Sequence, residues 1–196
     1  YLDRTVASTP ELAVGALQQE LERMEELVTG LVHAALTREG MTVAAGTRQT
    51  SAVHSLYNAI TGFAARTRAE KMSPELVEQL TVAVRTARYL SEVAGQAGSA
   101  IRLREVRRAL PEQTVRLLMD RYLEAVNQLL TSEDRDSEAV RAAEALYQKL
   151  KVAVLRAIVN GELDEDRGQD TLDDLSALRR MLDQGIKAKA MLAGSD

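Results

Sequence analysis

The sequence contains no cysteine. Disulfides, thiolate metal sites and cysteine nucleophiles are excluded, and the usage fits a reducing compartment. Aromatic residues make up 3% of the chain, with no Trp and a single Phe. Strand-rich folds draw on aromatic and β-branched side chains, so this scarcity argues against sheets. Only three prolines are present, so few positions interrupt a helix. No apolar run approaches the roughly 18 residues that cross a bilayer, and no secretory signal is visible. With a net charge of -4, general nucleic-acid binding is not expected. The local exception is Arg102, Arg104, Arg107 and Arg108. Glu105 sits among them and no aromatic platform is near, so they read as a solvated helix end.

What is present favours helices. Ala, Leu, Glu, Arg and Val dominate, and hydrophobic residues reach 45% of 196. A chain of this length buries about 70% of its unfolded surface and needs no metal or disulfide to fold. All three prolines stand where a helix would start. Thr9-Pro10-Glu11 and Ser73-Pro74-Glu75 share one grammar: a hydroxyl to cap free N–H groups, Pro in the first turn, and Glu at the positive end of the dipole. Ser8 with Glu11 forms a possible capping box. Pro111-Glu112 is a weaker start, since Leu110 cannot cap.

Apolar residues three and four apart mark six amphipathic helices. The spacing predicts them over Pro10 to Arg38, Thr47 to Lys71, Pro74 to Arg108, Glu112 to Leu130, Glu138 to Asn160 and Thr171 to Leu192. The first seam is Leu17, Leu21, Met24, Val28, Leu31 and Ala35. Gly95 and Gly98 weaken the third helix and suggest a close approach of its neighbours there. Lys187 and Lys189 suit the last turn of the sixth helix. Short polar connections make sequential helices antiparallel neighbours. The expected fold is all-α, a six-helix antiparallel bundle of two three-helix units over 10–108 and 109–196.

Catalytic chemistry finds no residues to stand on. The only histidines, His33 and His54, belong to no paired motif and read as structural or surface residues. Asp164, Glu165, Asp166, Asp170, Asp173 and Asp174 lack the ordered spacing of a calcium loop. They read as a solvated turn with helix capping. Glu22 with Glu25 or Glu26 reads as ordinary surface charge. No phosphate loop, serine elbow or partnered nucleophile can be drawn. The expectation is a non-enzyme with no catalytic residues.

The opening stretch carries a resemblance. Leu2-Asp3, then Thr9-Pro10-Glu11-Leu12-Ala13, then Glu20-Leu21-Glu22-Arg23-Met24 resemble the segment that joins the membrane part of bacterial sodium/phosphate cotransporter-family proteins to their PhoU-like domain. The likeness continues through Met72-Ser73-Pro74-Glu75 to the stretch from Leu175 to Met181. It implies that 1–9 is a linker from a membrane part upstream of Tyr1, at the cytoplasmic face of the inner membrane. PhoU-like domains carry Glu-x-x-x-Asp on helices and bind iron or zinc clusters. Two carboxylates four apart share a helix face and repel unless a cation lies between them. Here the matching positions are Glu92 with Gln96, Thr50 with His54, and Arg179 with Asp183. An amide, a hydroxyl and a guanidinium replace acids, so the resemblance implies a retained fold with a degenerate metal site and no cofactor, iron and zinc being disfavoured.

The implied function is a regulatory or interaction domain, partnered by its own transmembrane part. One alternative is a free-standing PhoU-like phosphate-signalling regulator that binds a separate membrane transporter or a sensor kinase. Another is a metal-binding or storage bundle, which would need inward Glu and Glu-x-x-His ligands; no Glu-x-x-His occurs. A homodimer is expected from extra alanines at Ala59, Ala64, Ala142 and Ala145, and no nucleic-acid partner is expected.

Overall fold

The computed structural model describes residue 2 and residues 9–67, 72–108, 110, 113–132 and 136–194. The chain is all-α, and there is no strand among the described residues. Its helices are α1 (Pro10–Thr37), α2 (Val43–Arg66), α3 (Pro74–Gly95), α4 (Ala97–Arg107), α5 (Gln113–Thr131), α6 (Ser137–Val159) and α7 (Glu165–Leu192). The six amphipathic segments are all present, and α3 and α4 are the two arms of the third.

The break falls at Gln96, between Gly95 and Ala97. Its φ of -92° and ψ of 0° leave the regular helix, and its N–H turns back three residues to Val93 O at 3.1 Å. Thr50 of α2 donates its hydroxyl to Ala94 O at 2.9 Å beside the break. A Cβ at Gly95 would meet nothing within 4 Å. Gly95 therefore weakens the helix without admitting a neighbour, whereas a Cβ at Gly98 would stand 4.0 Å from Val43 of α2, so the expected close approach is corrected at Gly95 only. Closer approaches lie elsewhere. A Cβ at Gly46 would collide with Ile101, at Gly168 with Ile158, and at Gly185 with Leu130.

Helix starts follow capping chemistry, with three differences from the sequence reading. Thr9 stands at the N-cap of α1 but makes no side-chain cap bond, and Ser8 and Pro111-Glu112 lie outside the described residues. α2 begins at Val43, where Thr42 accepts from Ala45 N at 3.2 Å. α7 begins at Glu165, capped by Asp164, whose carboxylate accepts from Arg167 N at 3.2 Å. The acidic run is thus the first two turns of α7, where carboxylates face the positive end of the dipole. Ser73 caps α3 as expected, accepting from Leu76 N.

Packing gives the bundle one continuous core. α1, α2 and α3 pack on one another, as do α5, α6 and α7. α3 lies along α7 and α1 lies against α5, joining the two groups. Leu17, Met24 and Leu31 of α1, Phe63 of α2, Ile101 of α4 and Tyr122 of α5 are fully buried. Each such side chain contributes about 1.5–3 kcal/mol relative to exposure. Antiparallel neighbours are evident where Thr50, early in α2, meets Ala94, late in α3. No helix among the described residues is long and apolar enough to cross a membrane.

Candidate functional site

The positions that the resemblance picks out occupy two faces. On the first, Glu92 is an exposed residue of α3, 3.7 Å from Arg88 one turn earlier. Gln96 forms the α3–α4 break. Thr50 reaches this turn from α2 with its proton committed to Ala94 O, and His54 is exposed one turn further along α2. On the second face, Arg179 of α7 places Nε 3.0 Å from Glu144 Oε2 of α6. Its guanidinium carbon stands 5.1 Å from the ring centroid of Tyr147. Asp183 is exposed one turn on. Glu144 was not legible as a site residue, because α6 carries none of the matched positions.

These residues do not fit an iron or zinc cluster. Such a site needs converging carboxylate, imidazole or thiolate donors about 2 Å from the metal. Here Glu92, His54 and Asp183 could donate, but their counterparts are an amide, a hydroxyl already bonded to a carbonyl, and a guanidinium that is itself the cation for Glu144. No three Asp, Glu or His side chains converge among the described residues.

Arg104 and Arg107 of α4, with Arg108 just beyond, line a charged cleft of about 390 Å³ between the ends of α1 and α4 and the middle of α5. Arg104 is only 8% exposed. Its Nη1 donates to Ala34 O at 3.3 Å, to Ala35 O at 3.2 Å and to Arg38 O, and its Nη2 donates to Met41 O at 2.6 Å. These carbonyls belong to the C-terminal end of α1 and the turn beyond, where intrahelical donors run out and the dipole is negative. Burial pulls the Arg104 pKa below its usual value, but a guanidinium stays charged.

The other three arginines also have partners. Arg102 makes a two-pronged bond to Asp174 of α7, Nε to Oδ2 at 2.9 Å and Nη2 to Oδ1 at 2.5 Å. That bond raises the Arg102 pKa. Arg107 lies 2.7 Å from Asp120 and Arg108 lies 2.7 Å from Glu39. The expected solvated helix end is corrected for Arg104, which is buried, while the other three keep solvent contact and tie α4 to α7, α5 and the turn after α1. Asp174, read as part of a solvated turn, is 7% exposed for the same reason.

The second three-helix group repeats the device. Lys189 of α7 donates through Nζ to Leu129 O at 2.9 Å and to Ser132 O, at the end of α5. The sequence assigns Lys189 to the dipole of its own helix; its side chain serves another. His33 of α1 sets Nδ1 3.1 Å from Asn127 Oδ1 and so ties α1 to α5. Tyr122 is fully buried, its ring 5.9 Å from that of Tyr147. Its hydroxyl has no hydrogen-bond partner among the described residues, and burial pushes its pKa far above the usual phenol value. A phenol held neutral in this way is a packing residue.

No protein-family model, curated protein or solved structure matches this chain.

Proposed function

We propose that the chain is a PhoU-like regulatory or interaction domain of a sodium/phosphate cotransporter-like membrane protein, acting without catalysis at the cytoplasmic face of the inner membrane. The observation that carries this reading is the use made of the would-be metal positions. Thr50 is spent on a backbone carbonyl and Arg179 on Glu144, so those faces serve helix contact. The ordered motifs from Leu2-Asp3 to Met24 supply the link to a transporter. Coupling would run through helix surfaces, since small shifts between packed helices carry a signal.

Two experiments test it. Protein purified without chelator is expected to carry no stoichiometric iron or zinc; a stoichiometric signal that disappears in Glu92→Ala overturns the degenerate metal site. Deleting residues 10–194 in the natural gene is expected to alter how sodium-dependent phosphate uptake responds to phosphate supply. Uptake that responds identically with and without the deletion contradicts the transporter reading.

A further inference from the structure

α6 carries two apolar stripes on opposite sides. The first is Ala143, Tyr147, Leu150, Val154 and Ala157, buried in the core. The second runs Ala145, Val152, Leu155 and Val159, with polar Gln148 filling the register between the first two, at spacings of three and four residues. It faces outward: Val152 is 46%, Leu155 42% and Val159 85% exposed. α6 packs chiefly on α5 and α7, so this stripe is left without a partner. Beside it, a groove of about 530 Å³ opens between α5 and α6, floored by Leu118 and Ala153 and rimmed by Lys149 and Arg156.

The charge on this face is mostly positive. Arg141, Lys149, Lys151 and Arg156 are all exposed. None of their side chains makes an ion pair or hydrogen bond among the described residues. α6 carries two acids, Glu138 in its first turn and Glu144, which is held by Arg179 at 3.0 Å and by Gln148 Nε2 at 2.8 Å. A basic face thus stands on a chain whose net charge is -4.

We infer that the outer face of α6 is a docking surface for an amphipathic helix with acidic flanks, supplied by a partner protein. The three-and-four spacing is that of a helix–helix seam, with Val152 and Val159 at a and Gln148 and Leu155 at d. Lys149 and Arg156 then fall at e and Lys151 at g, the positions that choose a partner by charge. A second copy would set these cations against their like. A helix with apolar a and d residues and Glu at e and g meets both the stripe and the charges, and lies along the α5–α6 groove in the helix-in-groove manner. The inference stands on α6 alone and does not depend on the family reading.

The test titrates the full 196-residue chain with a labelled synthetic helix bearing Leu at a and d and Glu at e and g. Saturable binding is expected, while a scrambled peptide of the same composition does not bind. Lys149→Glu with Arg156→Glu is expected to weaken binding about tenfold or more, and a Lys-flanked version of the peptide restores it. Val152→Asp gives a comparable loss, and circular dichroism stays unchanged, because these side chains are solvent-exposed and outside the buried core. The proposal is overturned if the scrambled peptide binds equally, if charge reversal and the swapped peptide change nothing, or if no peptide binds. It is also overturned if the face is occupied by anionic phosphatidylglycerol vesicles instead of the peptide. A dimer that Val152→Asp dissolves, seen by light scattering, assigns the face to a second copy and overturns it too. Failure here beside intact transporter coupling removes the α6 surface and leaves the functional reading standing.

Discussion

Arg104 on α4 and Arg156 on α6 carry the same side chain in opposite circumstances. Arg104 is 8% exposed and donates to four carbonyls around the end of α1. Arg156 is exposed, and its side chain makes no bond among the described residues. Sequence context does not separate them, since both lie in helices that mix apolar residues with several cations. What separates them is whether the carbonyls of a neighbouring helix end lie within reach. α4 is threaded between α1, α2 and α7, while α6 has neighbours on one side only. The cations of α4 are structural, and those of α6 remain available for a partner.

Breaking the buried side of that comparison gives the largest effect. Arg104→Met strips the carbonyls of Ala34, Ala35, Arg38 and Met41 of a charged donor. The expected cost is about 3 kcal/mol, a fall in Tm of roughly 10 °C for a chain of this size, read by thermal denaturation. Lys189→Met tests whether the second three-helix group relies on the same device. Lys189 is half-buried and serves two carbonyls, so about 1 kcal/mol is expected. A larger loss than for Arg104→Met would show that α5 depends more on its cap than α1 does.

The exposed side should be silent in the same assay. Lys149→Glu with Arg156→Glu is expected to leave Tm within about 2 °C of the parent, because exposed charges without partners contribute little to stability. A large drop would mean that these cations are structural after all.

The smallest effect sharpens the electrostatics around Lys189. The Glu25 pKa is raised by burial, an effect that Lys189 opposes and that Glu22 and Glu26 reinforce. A folded pKa above the unfolded one means that protonation favours the fold. That stabilisation is complete below the ordinary carboxylate value of 4.5 and is lost as pH rises through the raised pKa. Glu25→Gln should therefore flatten the decline in Tm between acid and neutral pH, with a slight gain at neutrality. Lys189→Met should raise the Glu25 pKa further, which carboxyl NMR would detect.

The helical architecture was legible because periodicity reports burial directly. The seam from Leu17 to Ala35 is buried at every position. Boundaries were less legible where polarity and helicity compete. The run from Asp164 to Asp170 reads as a turn, yet its carboxylates suit a helix N-terminus and Gly168 lets Ile158 approach closely. The roles of Arg102, Arg104 and Lys189 were not legible, because each acts on a residue at least 57 positions away. Local patterns name a helix face but not the helix end that will lie beside it. The six candidate positions could be located on their helices by motif, while the Glu144–Arg179 contact required the packing of α6 on α7.

The proposal that stands to be tested is that this bundle is a domain of a longer cotransporter-like membrane protein. Reading the coding sequence immediately upstream of Tyr1 tests it most directly. Several apolar segments of about 20 residues each, ending shortly before Thr9-Pro10, are the predicted result. A start codon within a few residues of Tyr1 would contradict it.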